Sequence, residues 1–157
     1  MLIQFESYLT LESIYLWSSF GVLPFWLMLI FIPNSRITQI FVNSVIPPLI
    51  LGAAYSYVLY LTILSGESIS DIFRLYLSLD DLYTIFATES FLLFFWLHFL
   101  SINLFLGSWV SREGVKYNIP RRLIILPLLL IFLTGPVGIV LYWLIRIFYA
   151  KKLGFHD

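Results

Sequence analysis

An all-α, polytopic membrane fold, a bundle of four transmembrane helices, is predicted for this chain by three observations. Of its 157 residues 61% are hydrophobic and only 11% charged, with a mean hydropathy of +0.95. That is more apolar surface than a water-soluble domain of this size can bury. Four stretches, approximately residues 13–32, 37–64, 90–110 and 123–145, carry no Asp, Glu, Lys or Arg, and roughly 20 helical residues suffice to cross the hydrocarbon core. Between the second and third, Ile72, Phe73, Tyr76, Leu79, Leu82 and Tyr83 recur at helical spacing, while Glu67, Asp71, Arg74 and Asp80 fall mainly elsewhere. This pattern predicts a short amphipathic helix on the membrane surface, over about residues 70–83. Residues 1–157 are thus expected to form a single transmembrane domain.

The N-terminal MLIQFESYLTLE carries Glu6 and Glu12 but no Lys or Arg. The positively charged start of a cleavable signal is missing, as is an Arg- and Ser-rich transit peptide. A bacterial or organelle-encoded chain, or a eukaryotic one already trimmed, is expected. The first span opens with Ser13 as a possible cap and holds Pro24, which removes a helical hydrogen bond and predicts a kink near Gly21 to Pro24. Tyr15, Trp17 and Trp26 suit an interfacial belt better than a ligand cavity. Residues 33–36, PNSR, predict a tight turn that makes spans one and two an antiparallel hairpin. In the second span Asn43 precedes Pro47-Pro48, where two lost donors predict a bent or unwound helix. Gly52, Ala53, Ala54 and Ser56 are small enough for a neighbouring helix to approach closely. The hydroxyls of Tyr55, Tyr57 and Tyr60 need partners, and helix packing is favoured over a polar ligand. Ser78, in SLDD, is placed to cap a new helix.

Most of the intramembrane polar chemistry falls on the third span. Glu89 is the one acidic residue expected at or inside a membrane boundary, and Glu89, Trp96 and Asn103, seven apart, share one helical face. A second stripe holds His98, Ser101, Phe105, Trp109 and Arg112. Ionisable groups inside a bilayer are costly and turn towards the bundle interior or a cavity. For His98 a structural bond to a backbone carbonyl and a functional role stay equally open. Gly107 and Ser108 predict close helix contact. Residues 111–122, SREGVKYNIPRR, read as the most basic loop, with Arg112, Lys116, Arg121 and Arg122 against Glu113. A positive anchor is the plain reading and a grip on anionic lipid headgroups the sharper one. Pro120 is placed to start the fourth helix. In the fourth span Pro127 and the Gly135-Pro136-Val137-Gly138 element predict a bend and close backbone approach, with Arg146, Lys151 and Lys152 at the far interface.

Several chemistries are excluded. Without Cys there are no disulfides, thiolate nucleophiles, Cys-ligated zinc or iron–sulfur clusters. His98 and His156 are too few for a di-iron oxygenase, and no lysine lies within a span to carry retinal. No metal site, cofactor or nucleic-acid partner is expected. Five Lys and Arg in the short loops against four on the opposite face lean weakly towards external termini and cytoplasmic or stromal loops.

The segments FIPNSR, NSVIPPLILGAAYSYVLY, YLSLDDLYTIF, WLHFLSINLFLGSWVSREG, NIPRR and LTGPVGIVLYWLIR occur in an order and spacing that resembles the abscisic-acid-deficient-4-like family, whose plant members are described as neoxanthin synthases. The resemblance covers most of the chain from Trp26 to Arg146. Trp96, His98, Leu104, Phe105 and Gly107 match the family's pattern, whereas Asn103 stands where that pattern has an acid. The family implies isomerisation of an epoxy-xanthophyll: the epoxide opens and a proton leaves the polyene without net redox change.

Such a reaction needs an acid near the epoxide oxygen, a base near the departing proton and a dry apolar slot. Glu89 and His98 are the expected catalytic pair. Trp96, Ser101, Asn103, Trp109, Arg112, Asn43 and Tyr57 are the expected ligand-binding residues around a lipophilic polyene. The alternative is a non-catalytic pigment-binding or assembly subunit of a photosynthetic-type membrane complex, in which Glu89, His98 or Asn103 ligates a chlorophyll magnesium. A transporter is least favoured, since no repeat symmetry is visible. The expected partners are the lipid bilayer, of a bacterial inner membrane or a plastid type, the polyene, and a homo-oligomer or larger membrane complex.

Overall fold

The computed structural model describes residues 10–44, 46–64, 66 and 71–150, with only the backbone of Asp71 and Ile72. Glu6, Glu67, Lys151, Lys152 and His156 lie outside the described residues. Among the described residues the chain forms helices and no strands: α1 (Leu11–Gly21), α2 (Leu23–Phe31), α3 (Arg36–Phe41), α4 (Ile46–Leu64), α5 (Asp71–Arg74), α6 (Leu79–Phe86), α7 (Glu89–Lys116), α8 (Arg121–Thr134) and α9 (Pro136–Ala150). Three stretches are long and apolar enough to cross a membrane: Leu11–Phe31, Arg36–Leu64 and Glu89–Lys116.

Proline and small polar residues set most helix boundaries. The first stretch is interrupted at Val22, with Pro24 just inside α2, where its missing donor costs nothing. Ser35 caps α3 by accepting from the Thr38 amide at 3.1 Å, and the Thr38 hydroxyl donates to the Ile32 carbonyl at 2.6 Å. The second stretch breaks between α3 and α4, so Pro47 and Pro48 occupy the first turn of α4. Of the small residues expected to allow close packing, Ala54 does pack against the core of Ile14, Leu93 and Leu97, whereas Gly52 faces open space. Gly52 has no other heavy atom within 4 Å of where a Cβ would stand, and Ser56 donates to the Gly52 carbonyl at 2.8 Å.

The surface helix expected over residues 70–83 is two helices. A turn over residues 75–77 ends α5, and Ser78 starts α6 by accepting from the Asp81 amide at 3.0 Å. Arg74 clasps the break, its guanidinium 2.6 Å from Asp81 Oδ1. Phe73, Tyr76, Leu77, Leu79 and Tyr83 are exposed. The third span is longer than its charge-free core suggests. Residues 111–116 of the expected loop continue α7, which spans 28 residues, so Glu113 is an intrahelical residue. The true connection is Tyr117 to Pro120, turned by Asn118 at φ 51°.

The largest departure is at the fourth expected span, which among the described residues no single helix long enough to cross a membrane occupies. Gly135 (φ 69°) stops α8 and Pro136 opens α9. In a continuous helix Arg146 would stand on the order of 40 Å from Arg121. Instead its Nη2 donates to the Tyr117 hydroxyl at 3.1 Å, and its Nε is 3.4 Å from Glu113 Oε2. The chain therefore doubles back at Gly135 into a hairpin of two helices, 14 and 15 residues long. Gly138 permits the return: a Cβ there would lie 2.6 Å from the Pro127 carbonyl oxygen. Arg146 accordingly closes on the Glu113–Tyr117 end and not on a far interface.

The described helices group into two compact units, one formed by the residues up to Gly21 with Leu49–Ser101, the other by Val22–Pro48 with the residues from Ile102 onward. Helix α7 contributes to both. In the first unit Ile14, Val58, Leu93 and Leu97 form a buried core against which Tyr57 packs. In the second, Trp26 is buried over Gly107, where a Cβ would come within 2.6 Å of the indole, and meets Phe132 edge-on at 5.4 Å.

Candidate functional site

Helix polarity and helical spacing build one site in the first unit. Glu12 lies in the first turn of α1 and Glu89 in the first turn of α7, positions where helix dipoles favour carboxylates. Three residues after Glu12 comes Tyr15, and seven after Glu89 comes Trp96, each on the face of its carboxylate. Together with Phe86, Leu93 and Phe95 they line an apolar cavity of about 600 Å³. Trp96 Nε1 donates to Ser19 Oγ at 2.8 Å and fastens α7 to α1, while Tyr15 and Trp96 lie 6.0 Å apart, centroid to centroid. The indole itself stacks on Phe99 at 5.5 Å. Two carboxyl groups and aromatic walls thus share one apolar space, the donor set that acid–base chemistry on a lipophilic molecule requires.

The other expected residues are distributed differently. His98 is exposed and lines no described cavity; nine residues beyond Glu89, it points from the opposite face of α7. Ser101 is half-buried, and Tyr57 belongs to the packing around Val58. In the second unit Asn103 is buried, its Oδ1 2.7 Å from where a side chain on Gly135 would begin, and among the described residues its Nδ2 has no hydrogen-bond partner. Asn43 Oδ1 accepts from Ser108 Oγ at 2.6 Å. Asn43 and Arg112 line a common cavity of about 320 Å³. Trp109 packs edge-on against Tyr142 at 5.4 Å.

Two groups of residues escaped the sequence reading. Glu12 read only as a missing positive charge, although the spacing of Glu12, Tyr15 and Ser19 marks one helical face. Arg146 is completely buried. Besides Glu113 and Tyr117 Oη it stands over the Tyr117 and Trp143 rings, at 4.9 and 4.6 Å. Gly138, Tyr142 and Arg146 follow one another at steps of four, which places them on one face of α9, but only the chain reversal sets that face against Glu113.

The sequence profile of ABA DEFICIENT 4-like proteins matches residues 13–142, from α1 into α9. Over 138 residues, 86% of its length, the chain is 31% identical to Protein ABA DEFICIENT 4, chloroplastic, of Arabidopsis thaliana, and it spans 61% of that relative's own length. No solved structure matches. With the profile covering both the α1 and α7 walls of the carboxylate cavity and the Gly135 hairpin, the chain belongs to the ABA DEFICIENT 4-like family.

Proposed function

We propose that this chain is an integral protein of a plastid-type membrane that binds an epoxy-xanthophyll and isomerises its epoxide end group. The observation that carries the reading is the cavity that Glu12 and Glu89 share with Tyr15, Phe86, Phe95 and Trp96. Its size, about 600 Å³, accommodates a ring end group with the start of a polyene, and its aromatic walls suit both. The apolar stretches Leu11–Phe31 and Glu89–Lys116, which bear the carboxyl groups near their starts, support placement of the cavity at a membrane boundary.

In this reading one carboxyl group, carrying its proton, donates it to the epoxide oxygen as the C–O bond breaks and the oxygen becomes a hydroxyl. The other, ionised, takes the proton from the neighbouring polyene carbon, and that C–H electron pair becomes the new cumulated double bond. Substrate and product have the same formula, so no oxidant or reductant is consumed. Glu89 and Glu12 share these two roles. His98, on the opposite face of α7, stays outside the reaction. Trp96, held by Ser19 and Phe99, sets the wall against which the ring lies.

Expression in a host that accumulates epoxy-xanthophyll tests this directly. The wild type is expected to yield a pigment of unchanged mass and altered retention. Glu89→Gln and Glu12→Gln each lower its yield by about 100-fold or more, and His98→Ala leaves it within a few-fold. No new pigment with the wild type overturns the reading. A second, non-catalytic reading is favoured by the exposure of His98, whose imidazole faces away from the core and is accessible to the magnesium of a chlorophyll. Tightly bound chlorophyll absorbance in the purified protein, lost in His98→Ala, would select it.

A further inference from the structure

The unit formed by Val22–Pro48 and the residues from Ile102 contains two cavities, of about 530 and 320 Å³, which share Pro33, Asn34, Ser111 and Val115 and so make one groove. Its chemistry is divided. Arg121 stands in the larger cavity and Arg112 in the smaller, and among the described residues no Asp or Glu lines either. The Arg121 guanidinium is fixed by two hydrogen bonds to the Ile30 carbonyl, at 3.0 and 2.5 Å. These hold the charge in place without neutralising it. Arg112 is exposed and, among the described residues, makes no ion pair. The neighbouring Glu113 is committed to Lys116 and Arg146. Asn43 spends its carbonyl oxygen on Ser108, which leaves its amide hydrogens for an acceptor. The floor is apolar, with Leu29, Ile124 and Leu128 buried along it.

We propose that this groove binds an anionic lipid, its phosphate or sulfonate oxygens between Arg112 and Arg121 and an acyl chain along Leu29, Ile124 and Leu128. Two uncompensated guanidiniums beside an apolar trough match an amphiphile with an anionic head. The same groove disfavours a zwitterionic lipid, because among the described residues it has no carboxylate to receive a choline or ammonium group. The proposal shares with the preceding section only the placement of the chain in a bilayer, and its test is read on lipid alone, whatever the fate of a pigment.

The full chain, purified in mild detergent and stripped of lipid, is titrated with phosphatidylglycerol, phosphatidylcholine or inorganic phosphate, and binding is followed by native mass spectrometry and the thermal midpoint. Phosphatidylglycerol is expected to bind at least ten-fold more tightly than phosphatidylcholine, and phosphate alone to shift the midpoint little. Arg112→Gln is expected to weaken phosphatidylglycerol about ten-fold, as loss of one charged hydrogen-bonding group implies, with a lipid-free midpoint like the wild type; Arg112→Lys recovers part of the loss. Equal binding of the two lipids overturns the proposal. So does an Arg112→Gln variant that binds like the wild type, or phosphate alone reproducing the whole effect, which would indicate a site for a free anion.

Discussion

Arg146 provides the most severe test of the chain reversal, because its partners are within reach only if α9 returns along α8. Replacing it with Met keeps much of the side chain's volume but removes the charge from a fully buried position. Glu113, with 15% of its side chain exposed, then loses the cation 3.4 Å from its carboxylate, keeping only Lys116, mostly exposed, at 3.5 Å. Breaking a buried pair from one side costs about 3–5 kcal/mol, and loss of the two ring contacts adds about 1 kcal/mol. A total of about 5 kcal/mol corresponds to a midpoint lower by roughly 15 °C. Glu113→Gln alone takes the Glu113 charge from beside the buried guanidinium and is expected to lower stability in the same direction. Combining the two removes both uncompensated charges, so the double variant should recover about 2 kcal/mol relative to the sum of the singles. Unfolding of all four proteins in the same detergent, by circular dichroism against temperature or denaturant, measures the cycle. Additive losses within about 0.5 kcal/mol, or an Arg146→Met variant as stable as the wild type, would refute the buried pair and with it the hairpin.

Three further outcomes are expected. Gly138→Ala should lower stability by about 3 kcal/mol, since its Cβ meets backbone atoms of Ile131 and Pro127 that cannot turn aside; Gly52→Ala, in open space, should be harmless in the same unfolding experiment. Trp96→Phe deletes the bond to Ser19 and should cost about 1 kcal/mol, and adding Ser19→Ala to it should cost almost nothing more. At the start of α6 the Ser78 hydroxyl, and after it Arg74, hold the Asp81 carboxyl below its ordinary value. A group depressed in the folded state stabilises above its unfolded pKa of about 3.9 and loses that contribution as pH falls through the folded value. The protection of α6 amides, exchange taken relative to the intrinsic rate at each pH, should therefore stay constant from pH 7 to about 5 and fall below about 4, and Asp81→Asn should abolish the change; a transition near neutral pH would contradict the assignment.

What could be read from the residues is what local chemistry controls. Helicity, the apolar stretches, the Ser78 cap and the interruptions at Pro24 and Pro47-Pro48 follow from propensity, hydrogen-bonding capacity and the missing proline donor. Glu89 and Trp96 were legible as one face of α7, because seven residues make nearly two full turns. Family membership was legible as well, from the order of segments such as WLHFLSINLFLGSW and LTGPVGIVLYWLIR.

Tertiary structure alone decided which faces meet. Residues 123–145 lack charge throughout and are long enough to cross a bilayer, so hydropathy counts them as one span. The bend expected at Gly135-Pro136-Val137-Gly138 becomes a full reversal because only glycine lets the returning backbone lie against Pro127 and Ile131. That reversal buries Arg146 beside Glu113 and Tyr117, a burial hydropathy cannot foresee because it scores each charge in isolation, without its future partner. Glu12 likewise acquires its meaning from a contact 77 residues apart in sequence, the bond from Trp96 to Ser19 that brings α1 to α7. The stretch from Glu89 onward carries half of the candidate site, and the other half comes from a helix whose only sign of a role was one carboxylate in its first turn.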